Sequence, residues 1–184
     1  MNFISQSIPD VLLIKLNKHN DDRGYFAETF RQDLLEDAVG YKVNFIQDNE
    51  SKSSKGTLRG LHYQITSFAQ TKLVRVIKGS VLDIAVDIRR SSPSFGDHVS
   101  VELTEQNKHQ LFVPRGFAHG FIVLSESATL SYKVDNYYAP EHDRGIAFND
   151  EKLKINWQLP FEEIKLSDRD KIHPSLANAR DLFN

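Results

Sequence analysis

From Lys72 to Val134 the chain alternates short apolar runs with turn residues. Lys72–Lys78, Val81–Ile88, His98–Leu103, Gln110–Pro114, Phe117–Leu124 and Ala128–Val134 are rich in β-branched and aromatic residues and read as strands. The breaks are Gly79-Ser80, the run Ser91–Gly96, Thr104–Lys108, Pro114–Gly116 and Ser125–Ser127. Nearer the start, Val11–Leu16 and Lys42–Ile46 predict two more strands, and Asp21–Gly24 predicts a turn before the weak alternation of Tyr25–Phe30. Gln32–Val39 has helical spacing and a glycine, Gly40, placed to end it. Gln47–Gly56 reads as a polar loop. Beyond Pro140 the pattern loosens, with short helical or irregular structure expected over Asp150–Leu159 and a terminal helix over Ser175–Phe183. Many short strands with frequent turn signals predict an all-β sandwich or barrel, with a few short peripheral helices. No linker or long-period repeat interrupts the 184 residues, so one domain is expected.

Composition narrows the function classes. A formal net charge of −2 gives no general attraction to nucleic acid or to an anionic membrane, so an anionic ligand needs a local cluster of Lys and Arg. The absence of cysteine excludes disulfides, thiolate zinc sites and a cysteine nucleophile. The N-terminal residues lack a signal-peptide pattern, and no apolar run approaches the roughly 20 residues of a membrane span, so a cytoplasmic protein is expected.

Gly56–Gly79 concentrates the chemistry: Arg59, His62, Gln64, Gln70, Lys72 and Arg75 stand between apolar residues in strand-like alternation. Gly56-x5-His62 with Gly79, and Pro114-x-Gly116-x2-His119, resemble the two halves of the cupin signature and imply a cupin-like jelly roll. In metal-binding cupins a second histidine follows two residues after the first, and an acid lies near the end of the motif. Here those positions hold Gln64 and Lys72; an ammonium cannot ligate a cation, so no metal is expected there. A pocket with His, Lys and Arg suits proton abstraction beside a carbonyl. Neutral histidine, with a pKa near 6.5, is the base and lysine steadies the oxyanion. Tyr132 is a candidate to return the proton on the other face. No GxGxxG stretch supports a nicotinamide, so no cofactor is expected. Asp83 and Asp87 alternate with Val81 and Ala85; they either face the same pocket or pair with Arg75.

The segments DDRGYFAETF, FIQDNESKSSKGTLRGLHYQ, AQTKLVRVIKGSVLDIAVDIRRSSPSFG, NKHQLFVPRGFAHGFIVLSE, SYKVDNYYAPEHDRGI and LSDRD, in this order and spacing, resemble the dTDP-4-dehydrorhamnose 3,5-epimerases. The resemblance implies a homodimer without a cofactor that inverts C3 and C5 of dTDP-4-dehydro-6-deoxy-D-glucose. It implies His62 as base, Tyr132 as acid, Asp170 as the partner that orients His62, and Lys72 facing the enolate. Arg59 and Arg169, with Ser51, match the diphosphate contacts, and Arg23, Glu28, Gln47, Asp48 and Asn49 match nucleotide and substrate contacts, some given across the dimer interface. His119 and Asp143 match further substrate contacts, and Tyr138 is a candidate to stack on the thymine. Asp143 stands where glutamate is frequent, and Arg169, which adds a planar fork suited to phosphate, where lysine is frequent.

Two alternatives share these residues. One is a single-carbon epimerase of another dTDP-4-keto-6-deoxysugar, and the other is a non-catalytic sugar-nucleotide-binding cupin. A geometric tension accompanies all three. Arg59 and His62 are an odd number of residues apart and would point to opposite faces of a regular strand, so a bulge or bend at Gly60 is expected.

Overall fold

The computed structural model describes residues 1–184. Thirteen strands follow in chain order: β1 Asn2–Ser5, β2 Leu12–Lys15, β3 His19–Asp21, β4 Gly24–Phe26, β5 Gln47–Ser54, β6 Leu58–Gln64, β7 Lys72–Lys78, β8 Ser80–Asp87, β9 His98–Thr104, β10 Gln110–Val113, β11 Phe117–Val123, β12 Ser127–Val134 and β13 Asp143–Gly145. They form a six-stranded sheet in the order β1-β2-β10-β7-β12-β5, a five-stranded sheet in the order β13-β6-β11-β8-β9, and the small hairpin β3-β4. The two large sheets face each other as an all-β, cupin-like jelly roll.

Apolar residues fall into three layers. Val74, Val81, Ala85, Leu111, Phe121 and Leu130 belong to the layer between the sheets. Leu58, Leu61, Leu82, Ile84 and Ile122 point out of the five-stranded sheet, where the C-terminal segment covers them with Phe148, Trp157 and Leu182. Leu12, Ile14, Leu73 and Phe112 point out of the other sheet, under Leu35 and Val43. Strand β8 is buried on both faces, which is why it reads as a nearly continuous apolar run.

The helix α1 spans Gln32–Val39 as expected, and Gly40, at φ +80°, closes it with a hydrogen bond from its N–H to the Glu36 carbonyl. Three expectations are corrected. Lys42–Ile46 is not a strand; its apolar residues Val43 and Phe45 pack with the cluster beneath α1. The polar run after it is a strand, β5, paired residue for residue with β12 from Gln47↔Val134 to Ser54↔Ser127. Its inward positions alternate as an apolar strand's would, but they are polar because they line a cavity. Ser175–Phe183 is irregular. Leu176, Ala179 and Leu182 recur every third residue because they plug the outer face of the five-stranded sheet, a spacing that imitates a helix.

The bulge at Gly60 is present. Against β11, the pairings His119↔His62 and Phe121↔Arg59 place three steps of β6 opposite two of β11. Gly60 has φ +138°, and a Cβ there would lie 2.5 Å from the Gly120 Cα. The extra residue turns Arg59 and His62 to the same side, into one cavity. Gly60→Ala is therefore expected to destabilise the protein by roughly 1–3 kcal/mol, read as a lowered denaturation midpoint, and to impair ligand binding by turning Arg59 away. Unchanged stability and binding would mean that the close approach at Gly60 does not fix the site.

Candidate active site

The largest cavity, of about 500 Å³, opens between the sheets. The five-stranded sheet contributes Arg59 and His62 from β6 and His119 from β11; the other sheet contributes Ser51 from β5, Lys72 from β7 and Tyr132 from β12. The segment Lys165–Asp170 closes one end with Lys165, Ser167, Arg169 and Asp170. A second recess of about 330 Å³ shares His62, Lys72 and Tyr132 and adds Gln47, Asn49, Tyr138 and Asp143. His62 and Tyr132 thus stand on opposing walls of one space.

Behind His62 lies a buried anchor. Its Nε2 meets Asp170 Oδ1 at 2.5 Å, and the other carboxylate oxygen accepts the Ser167 hydroxyl at 2.8 Å. Asp170 is only 4% exposed. Burial alone would raise its pKa, but the neighbouring His173 and His62 and the Ser167 hydroxyl outweigh burial and hold the carboxyl well below its usual range. Asp170 is therefore an anion that accepts the Nε2 proton and leaves Nδ1 as the basic atom of His62. Burial pushes the His62 pKa down; Asp170 works in the opposite direction and Lys72 in the same one. The ring is neutral at neutral pH.

Lys72 is pushed down to about 8 by burial, against the attraction of Asp143 and Asp83. Tyr132 is pushed up, mainly by burial, with Arg59 opposing and Asp143 assisting, so its proton stays on oxygen near neutrality. Arg169 bridges to Asp143 at 2.6 Å, and Asp143 also accepts the Tyr138 hydroxyl at 3.0 Å. This latch spans the edge of the second recess.

Further residues surround these groups. Asp83 is fully buried and holds His119 Nε2 at 2.9 Å, so it serves the pocket rather than Arg75. Asp87 is also fully buried, but it takes Arg89, Ser92 and Ser94 and lies away from the cavity. Ser167 and His173 surround Asp170, and Lys165 adds a cation to the end that holds Arg59 and Arg169. A serine three residues before a carboxylate and a histidine three after it carry no recognisable motif. Gln64, at the second cupin position, spends its amide on the backbone: it donates to the carbonyls of Phe68 and Tyr137 and accepts the Ala139 N–H.

Three candidates are not brought to this cavity within one chain. Asp48 points out of the opposite face of β5, where Lys133 binds it at 2.9 Å. Glu28 lies with it against a separate recess of about 310 Å³. Arg23 sits in the β3-β4 hairpin, its side chain 88% exposed and held only by Asp21.

Comparison with known proteins supplies the context for this geometry. The family model described as dTDP-4-dehydrorhamnose 3,5-epimerase matches residues 5–178. The dTDP-4-dehydrorhamnose 3,5-epimerase of Shigella flexneri is 52% identical, with 92% of this chain and 93% of that protein covered. The epimerase of that name from Elizabethkingia anophelis superposes with a TM-score of 0.94 at 43% identity, covering 98% of both chains. The dTDP-6-deoxy-D-glucose-3,5-epimerase of Legionella pneumophila, solved with dTDP-4-keto-L-rhamnose, superposes with a TM-score of 0.92 at 44% identity, covering 96% of this chain and 93% of that one.

Proposed function

The chain belongs to the dTDP-4-dehydrorhamnose 3,5-epimerase family, and on that footing we propose that it inverts C3 and C5 of dTDP-4-dehydro-6-deoxy-D-glucose to give dTDP-4-dehydro-L-rhamnose. The chemistry follows from the substrate's own C4 ketone, which lies between the two carbons and acidifies both. His62 takes a proton from the carbon through Nδ1, while Asp170 holds the Nε2 proton and stabilises the imidazolium that forms. Charge flows onto the C4 oxygen, where the Lys72 ammonium stabilises the enolate. Tyr132, on the opposing wall, delivers a proton to the other face and so sets the new configuration. The single observation that carries this reading is a histidine anchored through Nε2 on a buried carboxylate, facing a protonated tyrosine across one cavity.

Binding groups sort by charge. Arg59, Lys165 and Arg169, with the Ser51 and Ser167 hydroxyls, offer the end suited to the diphosphate. Ser51 Oγ is buried without a hydrogen-bond partner, as a ligand contact would leave it in the free protein. Tyr138, half exposed at the rim, is placed to stack on the thymine. Gln47, Asn49, His119 and Asp143 face the sugar and its approach. Arg23, Glu28 and Asp48 are assigned to the site of a second copy: the family resemblance puts such contacts across a dimer interface, and none of the three reaches its own chain's cavity. Following the sugar ring by proton NMR tests the activity: inversion at both C3 and C5 is expected, and inversion at one carbon alone would favour the single-carbon alternative.

The pH profile follows from the two perturbed groups. A protonated His62 cannot accept a proton, so kcat/KM falls in acid as pH drops through a value below the ordinary 6.5. Lys72 loses its charge as pH rises through about 8, which sets the basic limb, because the Tyr132 pKa is raised above its ordinary value of 10. Lys72→Arg keeps its charge at high pH and should move the basic limb of the residual activity upward. A basic limb that stays near 8 in this variant would assign it to another group.

A further inference from the structure

We propose that His62, Asp170 and His173 form an inhibitory zinc site behind the catalytic imidazole. Their ligand atoms all lie within 4.8 Å of one another. The decisive member is His173. Its side chain is 9% exposed, and its buried Nε2 makes no well-aligned hydrogen bond. That nitrogen lies 3.4 Å from Asp170 Oδ1, the same oxygen that His62 Nε2 meets, but out of line with it. A buried ring nitrogen left with only this long, poorly aligned contact to the carboxylate is costly to keep unless something completes it.

The geometry fits a tetrahedral cation. With zinc–nitrogen and zinc–oxygen distances of about 2.0–2.1 Å, adjacent ligand atoms lie about 3.3 Å apart and two ligating rings have centroids about 5 Å apart. His173 Nε2 is already 3.4 Å from Asp170 Oδ1, and the two imidazoles stand edge to face at 5.5 Å and 80°. The His62–Asp170 contact, at 2.5 Å, must widen by about 0.8 Å. Ser167 holds the other oxygen of Asp170 and leaves Oδ1 for the metal. Gly145 makes the room: a Cβ there would lie 2.3 Å from His173 Nε2. The cluster is reached from two sides, His62 and Asp170 from the main cavity and His173 from a recess beside Tyr63 and Arg144. It shares His62 with the cupin-type motif but uses neither the Gln64 nor the Lys72 position.

The consequence for catalysis is a tautomer switch, and this half of the inference rests on the base role proposed for His62. In the metal-free protein the single proton of neutral His62 sits on Nε2, toward Asp170, and Nδ1 carries the lone pair. Zinc takes the Nε2 lone pair, so the one proton of the neutral ring must sit on Nδ1. The ring keeps its proton count and nothing is oxidised, but the atom that accepts the sugar's proton is blocked. Inhibition therefore lowers kcat and is not relieved by more substrate.

The test separates binding from inhibition. Metal-free protein, without substrate, competes with a chromophoric chelator for Zn2+; one equivalent per chain is expected to bind. His173→Gln and His173→Ala should weaken binding by at least about 10–100-fold, with circular dichroism confirming that the variant read is folded. Mg2+, which prefers oxygen ligands, should not compete. No zinc binding by the unaltered chain, or equal binding by a folded His173 variant, overturns the site. In turnover assays with the dTDP-sugar, Zn2+ should lower kcat with KM unchanged, and a chelator should restore it. Inhibition that raises KM instead overturns the tautomer switch. An inactive chain would count against the epimerase reading and leave the binding result to stand alone.

Discussion

His62→Ala is expected to lower kcat by about 10²–10⁴-fold while the dTDP-sugar still binds. The loss arises because no other side chain takes the position that His62 holds opposite Tyr132 across the cavity. His119 is bonded through Nε2 to the buried Asp83 and lies on the strand beside His62. Lys72 is held as a cation below about pH 8. Binding survives because the charges offered to the diphosphate, Arg59, Lys165 and Arg169, are separate from the ring. Removing His62 also strips a donor from buried Asp170, so His62→Gln, whose amide nitrogen reaches the place of Nε2 and can still donate to that carboxylate, distinguishes a folding defect from a chemical one. Both variants should lose turnover, and the glutamine variant should have the higher melting temperature. Near-normal turnover in a folded variant would remove His62 from the role of base.

Tyr132→Phe should separate two rates that are coupled in the unaltered chain. Proton exchange at the carbon needs only a base on one face, whereas net inversion needs a donor on the other. Tyr132 comes from β12 in the six-stranded sheet, and His62 from β6 in the five-stranded one, so the sugar between them meets them from opposite sides. Burial holds the phenol above its ordinary pKa, which keeps it a proton donor. Epimer formation is therefore expected to fall by about 10²-fold or more, with solvent exchange falling less. Equal loss of both, measured on one sample, would make Tyr132 a binding group.

The strand pattern and the helix were legible because period-2 and helical spacing are local properties of the chain. The misread segments each carried a tertiary reason. Strand β5 is polar because its inner face lines a cavity, and Ser175–Phe183 has helix-like spacing because three side chains plug a sheet. His62, Lys72, Tyr132, Asp170, Arg59 and Arg169, distant in the sequence, line one cavity. Strand parity could have divided the neighbours Gln47, Asp48 and Asn49: the odd positions face the cavity and Asp48 faces away, which a loop reading of that segment concealed. The Gly60 bulge was legible because two residues of one site stood an odd number apart. Ser167 and His173 were not, because each acts by touching another side chain across a fold that local sequence does not encode; for Asp83 the alternation left the pocket and Arg75 as equal choices, and its bond to His119 is a tertiary fact.

The account turns on His62 removing protons beside the C4 ketone at two carbons. Turnover of dTDP-4-dehydro-6-deoxy-D-glucose in D2O, with deuterium located position by position, tests this most directly. Deuterium is expected at both C3 and C5 with the unaltered chain and at neither with His62→Ala. Deuterium at one carbon only, or undiminished incorporation in the His62→Ala variant, would contradict it.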